Sequence, residues 1–220
     1  MQGLIFPRPV RAVIFDMDGL LVDTEVPVRD ALMNAAAGIG RELPATVFLS
    51  MVGTTSAHSD AILVEHFGEG FDLAAFQAEV WRLLETRFDL GVPLKPGALE
   101  LLALVDQIGL PKALVTSSSR RAVDRHLPAE VVARFAHLVT RESVERGKPH
   151  PEPYLKAAAA LGIAPRDCLA LEDSHNGVRS AHAAGMMAVM VPDLLEATDE
   201  MREKTIAIAQ SLHDVRLALT

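Results

Sequence analysis

The chain has 220 residues, half of them hydrophobic and 23% charged, enough apolar material for one large domain or a core with a smaller second one. A formal net charge of -8, with only five lysines, argues against nucleic acid or an anionic membrane as the main partner. Cys168 is the single cysteine, so no internal disulfide forms, and a reducing, cytoplasmic setting is expected. No basic-then-apolar leader pattern opens the sequence, and no apolar run approaches the ~18 residues of a membrane span.

Ala12 to Phe15 is an apolar run of the length of a buried parallel strand. It ends in Asp16 and Asp18, and Gly19 then lets the backbone turn sharply. Ligands of open α/β sheets bind at the carboxyl ends of strands, and two aspartates so close need a cation or a proton between them. Taken alone, the pair reads equally well as a capped strand end with two solvated acids.

After Asp23 the pattern becomes helical. Pro27 suits a first turn, and Val28, Leu32, Ala35, Ala36 and Ile39 follow at helical spacing until Gly38 and Gly40. Leu43 to Met51 reads as a short helix, broken by Gly53-Thr54-Thr55-Ser56, where Thr55 or Ser56 suits a cap. Ile62, Leu63, His66 and Phe67 line a third helix closed by Gly68. Asp72 suits the cap of a fourth, with Phe76, Val80, Leu83, Leu84 and Phe88 inward and Gly91 at its end. Trp81 and His58 in this region read as packing or surface residues.

Pro93 to Gly97 reads as a linker, followed by a helix with Leu101, Leu102, Val105 and Ile108 inward. Lys112 to Val115 is a second buried strand delivering Thr116-Ser117-Ser118-Ser119, hydroxyls able to bind a phosphate together with backbone N–H groups. A third strand is expected around Ala136 to Thr140. Lys148 then stands in a proline-stiffened loop, Gly147-Lys148-Pro149-His150-Pro151, before a helix with Tyr154, Leu155 and Leu161 inward. Cys168 to Leu171 is a fourth strand, ending in Glu172-Asp173-Ser174, and Gly177 opens the next helix. Met187 to Val191 is a fifth strand, and Thr205 to Ala209 a sixth at the edge. His150, His175 and His182 read as loop, surface or packing residues.

Phe15-Asp16-Met17-Asp18-Gly19-Leu20-Leu21-Val22-Asp23-Thr24-Glu25 resembles the first motif of the haloacid-dehalogenase-like (HAD-like) hydrolase superfamily, in the wording of its β-phosphoglucomutase and sugar-phosphatase branch. Thr116, the Lys148 loop and Glu172-Asp173 resemble the second, third and fourth motifs. The resemblance implies an α/β fold: a Rossmann-like parallel-sheet core over 1–23 and 94–220, with a four-helix cap inserted over 24–93. It implies that Asp16 is the nucleophile of an aspartyl-phosphate intermediate. Asp18 is then the general acid for the leaving alcohol and the base for the attacking water. Thr116, Ser117 and Lys148 are the expected phosphate-binding groups. By the same resemblance, Asp16, the main-chain carbonyl of Asp18 and Asp173 hold Mg²⁺, with Glu172 behind them. The cap closes over the crevice and reads the leaving group.

Strand tips of one parallel sheet face the same crevice, so these residues converge although 157 positions separate Asp16 from Asp173. Such a group of carboxylates suits a hard cation with oxygen ligands, and Mg²⁺ is the natural one beside a phosphate. The leading expectation is a Mg²⁺-dependent phosphatase for a small phosphomonoester, a sugar phosphate among the candidates, working as a monomer or weak homo-oligomer. The alternatives are a β-phosphoglucomutase-type mutase and a non-catalytic phosphate-responsive binding protein. The resembled mutases carry an Arg after a Gly in the cap turn and a His in the first cap helix, where this chain has Ser56 and Val28. Between Asp23 and Gly91 stand eleven acids and four arginines, a poor field for a second phosphate. A dehalogenase needs no metal and lacks the second aspartate. A phosphonate hydrolase would use a cap lysine, and residues 24–93 contain none.

Overall fold

The computed structural model describes residues 4–52, 54, 56–88 and 91–220, with Ser56 described in its backbone alone. The chain divides into two compact units, Met1–Val22 with Pro93–Thr220, and Asp23–Val92.

The larger unit is built on six parallel strands. They are β1 (Ala12–Phe15), β2 (Lys112–Val115), β3 (His137–Val139), β4 (Cys168–Glu172), β5 (Met187–Met190) and β6 (Ala207–Ile208), in the order β3-β2-β1-β4-β5-β6. Every residue of β1, β2, β4 and β5 is buried, which is why, apart from Lys112 and Glu172 at strand ends, these strands read as apolar runs rather than alternating ones. In β1, Ile14 stands opposite Ala113 of β2 on one side and Ala170 of β4 on the other. The chain runs outward from β1 to β2 and β3, then restarts on the other flank with β4. The sheet order therefore reverses beside β1, and the crevice outside the strand ends there is the expected ligand position of an open α/β sheet.

Helix α8 (Glu152–Leu161) packs on β1, β2 and β3, while α9 (His175–Ala183) packs on β4 and β5. Tyr154, Ala157 and Ala158 of α8 and Ala181 of α9 meet Ala12, Ile14, Ala113 and Ala170 in one core cluster. Small residues on both sides let helix and sheet approach closely, and burying a side chain the size of Ile14 or Leu171 stabilises by ~1.5–3 kcal/mol. Cys168 lies in this core, its thiol pushed up to about 11 by burial, first, and by the neighbouring Asp167 carboxylate.

The smaller unit contains α1 (Glu25–Gly38), α2 (Ala45–Met51), α3 (Ser56–Phe67) and α4 (Leu73–Phe88). Helix α1 packs chiefly on α4, and α2 on α3. Phe67, Phe71 and Phe76 form an aromatic trio with ring centroids 4.6–5.4 Å apart, and the Arg41 guanidinium lies over Phe67 while donating to its carbonyl. Asp72 caps α4 as expected, accepting from Ala75 N at 3.0 Å. Of the turn expected at Gly53 to Ser56, Gly53 and Thr55 lie outside the described residues, as does the side chain of Ser56.

Several helix faces differ from the sequence reading. The buried face of α1 is Pro27, Ala31, Ala35 and Ala36, and Ile39 is exposed just beyond the helix. Ile108 and Leu155 are also exposed, each at the rim of a helix whose Leu, Ala and Tyr neighbours already fill the core. The short helices α7 (Ala129–Val132), α10 (Asp199–Lys204) and α11 (Leu212–Ala218) carry too few turns for a periodicity to show. Among the described residues, no helix is long and apolar enough to cross a membrane.

Candidate active site

Four chain segments deliver the site. β1 places Asp16 as the residue after its last rung, with its N–H donated to Leu171 O of β4 at 3.0 Å. Gly19 follows at φ +81°, where a Cβ would overlap the Asp173 carboxylate, so glycine is required both by conformation and by space. β4 ends in Glu172, and Asp173 comes next. Glu172 is fully buried, and Asp16 and Asp173 are nearly so. β2 delivers Thr116, whose N–H is bound to Val139 O of β3. The loop before α8 brings in Lys148.

Lys148 ties the centre together. Its ammonium lies 2.5 Å from Asp16 Oδ1, 2.5 Å from Glu172 Oε1 and 3.1 Å from Val115 O. Glu172 also accepts from the Tyr154 hydroxyl at 2.5 Å and, on its other oxygen, from Ser174 Oγ and Ser174 N. A Cβ on Gly177 would overlap this carboxylate, so the helix after β4 packs onto it through bare backbone. The Lys148 loop is held from below as well, by the Ser180 hydroxyl of α9 donating to His150 O at 2.6 Å.

Asp18 stands apart from this cluster and is more open, with 29% of its side chain exposed. Its Oδ2 accepts from Ser118 Oγ at 2.7 Å and Thr116 Oγ1 at 3.1 Å. His126, at the end of α6 (Arg120–His126), places Nδ1 3.8 Å from Asp18 Oδ1. Ser117 is exposed, so of the serines in this turn it is Ser118 that reaches the aspartate.

The electrostatics follow from burial. Desolvation pushes the Asp16 carboxyl well above the ordinary carboxylate range; Lys148 opposes this, and Glu172 and Asp18 reinforce it. Burial works against the Lys148 charge, but Asp16 and Glu172 together hold the ammonium above its ordinary value. Burial, and then Glu172, keep the Tyr154 hydroxyl protonated and therefore a donor. Asp16, Glu172 and Asp173 offer carboxylate oxygens within 4.8 Å of one another, and a single buried ammonium leaves such a group short of positive charge. A hard divalent cation fits that donor set, since its preferred ligands are carboxylate and carbonyl oxygens.

The residues expected from sequence, Asp16, Asp18, Thr116, Ser117, Lys148, Glu172 and Asp173, come from these four segments, Ser117 being the exposed one. Tyr154, His126 and Ser180 were not foreseen as parts of it, and Ser118 was foreseen only among the strand-tip hydroxyls, not as a partner of Asp18. Tyr154 carried a signal: it is the chain's only tyrosine, on an inward helical face, and a buried phenol needs a partner.

An open parallel sheet with acids at the tips of β1 and β4, a hydroxyl at β2 and a lysine on a following loop defines a hydrolase-type α/β core. Residues 10–185 match the sequence profile of hydrolases described as haloacid dehalogenase-like, and the chain belongs to that family. It is 38% identical to hexitol phosphatase A of Escherichia coli (strain K12) over 188 residues, covering 82% of each chain. It is 33% identical to hexitol phosphatase B of the same strain, covering 84% of this chain and 85% of the relative. The crystal structure of a HAD family hydrolase from Deinococcus radiodurans R1, with bound phosphate and sodium, superposes with a TM-score of 0.81 at 27% identity, covering 96% of this chain and 95% of that one.

Proposed function

We propose that this HAD-family phosphatase hydrolyses a small phosphomonoester, a sugar or sugar-alcohol phosphate being the favoured class, through an aspartyl-phosphate on Asp16 with Mg²⁺. The observation that carries the reading is the buried group Asp16, Lys148, Glu172 and Asp173, drawn from separate segments, with a second, more open aspartate alongside. The names of the two hexitol phosphatases and the phosphate in the Deinococcus structure support the substrate class.

In this reading Asp16 attacks phosphorus, splitting one hard displacement into two easier ones. Lys148 supplies a fixed positive charge to the phosphoryl oxygens, and the Thr116 hydroxyl binds another of them. Asp18 protonates the leaving alcohol and then takes a proton from the water that cleaves the intermediate, help typically worth ~10²–10⁴-fold. Asp16, Asp173 and the Asp18 main-chain carbonyl would hold Mg²⁺, while Glu172, already engaged by four donors, supports the group from behind. When bound, Mg²⁺ would offset the repulsion between carboxylate and phosphate. The helical unit is the proposed selector of leaving groups.

A panel of phosphomonoesters assayed for released phosphate tests this. Turnover is expected with Mg²⁺ and lost in EDTA, and Asp16→Asn should lower it by about a thousandfold or more while the protein remains folded. Near wild-type turnover by Asp16→Asn, or full activity after exhaustive chelation, overturns it. Conversion of β-glucose 1-phosphate to glucose 6-phosphate without phosphate release, given a trace of the 1,6-bisphosphate, would establish a mutase instead.

A further inference from the structure

The Thr116 hydroxyl has one proton and two claimants. Here it donates to Asp18 Oδ2 at 3.1 Å, while its oxygen accepts from Ser118 N at 2.9 Å. A hydroxyl donates only once, so a phosphoryl oxygen that takes this proton takes it from Asp18. Asp18 Oδ2 would then lose the Thr116 donor at the moment the group must be held for proton transfer. The second donor is Ser118 Oγ, at 2.7 Å on the same oxygen. Ser118 is itself fixed at both backbone groups, its N–H on Thr116 Oγ1 and its carbonyl accepting from Arg141 N at 3.0 Å.

We propose that Ser118 is a positioning residue for the acid and base Asp18, keeping the carboxylate in place after bound phosphate has drawn away the Thr116 proton. The proposal rests on the phosphatase reading above. As Asp18 gives up its proton, the Ser118 bond becomes one to a developing carboxylate, and losing such a bond changes the rate by about 10- to 100-fold. The effect belongs to protonation of the leaving group, so it grows as the leaving group becomes poorer.

The experiment uses Ser118→Ala, which deletes the hydroxyl and keeps both backbone bonds, with Ser118→Gly in its place should the alanine variant not fold. Single-turnover phosphorylation is followed over a series of phosphate esters running from p-nitrophenyl to alkyl leaving groups. The expected result is a loss of about 10- to 100-fold on alkyl esters and less than about threefold on p-nitrophenyl phosphate. KM should stay nearly constant, and Ser118→Thr should rescue most of the rate. An equal loss across the series, a rise in KM alone, or no rescue by threonine overturns the proposal. Asp18→Asn in the same series separates the two ideas. If it shows the leaving-group dependence and Ser118→Ala does not, the Ser118 assignment alone fails. If Asp18→Asn shows none, the acid–base reading itself fails.

Discussion

Glu172 is where the residue-scale chemistry concentrates: a fully buried carboxylate whose two oxygens are shared among Lys148, Tyr154 and Ser174. Removing one donor from a buried, charged acceptor costs ~1–3 kcal/mol, because water cannot replace it. Tyr154→Phe keeps the ring and deletes that donor. The expected outcome is a stability loss of that size in a urea melt and a turnover lower by about tenfold, as the Glu172–Lys148 pair loses its anchor. Unchanged stability would show that Tyr154 contributes packing alone. At this scale sequence has limited resolution. Ser117, Ser118 and Ser119 are identical letters in one turn, yet Ser117 is exposed, Ser118 binds Asp18, and Ser119 caps α6 by accepting from Ala122 N at 3.2 Å. Nothing in composition or spacing separates them; the turn's backbone path does.

Among the elements, α8 carries the loop on which Lys148 stands. Its first residue, Glu152, accepts from Glu145 N and Arg146 N, each at 3.0 Å, and pairs with Lys156 at 2.9 Å. The Glu145 N–H bond, the Lys156 bond and the Arg146 N–H bond together hold its carboxyl down at about 2, against an ordinary 4.5. A depressed folded pKa stabilises wherever the unfolded carboxyl is already ionised, so the contribution is present above pH 4.5 and is lost as pH falls through about 2. Glu152→Gln should therefore be less stable than wild type near neutrality, with the gap narrowing steadily in acid. Urea melts of both proteins across that range measure it, and a pH-independent gap would contradict the assignment. The strands were legible because full burial leaves a run of apolar letters, and Asp16, Thr116 and Glu172-Asp173 were legible as the polar letters that end such runs. Helix faces were less so. Helical spacing in α1 puts Ile39 on the stripe, but Gly38 ends the helix first; Leu155 keeps helical spacing on a face that Tyr154, Ala157 and Ala158 already fill.

For the whole molecule, the order β3-β2-β1-β4-β5-β6 makes β1 a central strand, bonded on both flanks, with the candidate nucleophile directly after it. Strand order cannot be read from any local pattern, whereas the convergence of the strand ends follows from parallel pairing alone. The backbone bonds described above have a dynamic consequence. Asp16 N–H is held by Leu171 O, Thr116 N–H by Val139 O, and Glu172 O by Val191 N–H. The acids at the tips of β1 and β4 are thus extra rungs between inner strands, while Thr116 is a rung to the edge strand β3. Amide hydrogen exchange at Asp16 should accordingly proceed only through global unfolding, with protection as high as that of Ile14, and Thr116, paired with the edge strand, should exchange sooner. On slow heating, loss of activity is expected no later than the parting of the inner strands, so no active form should outlast unfolding of the larger unit.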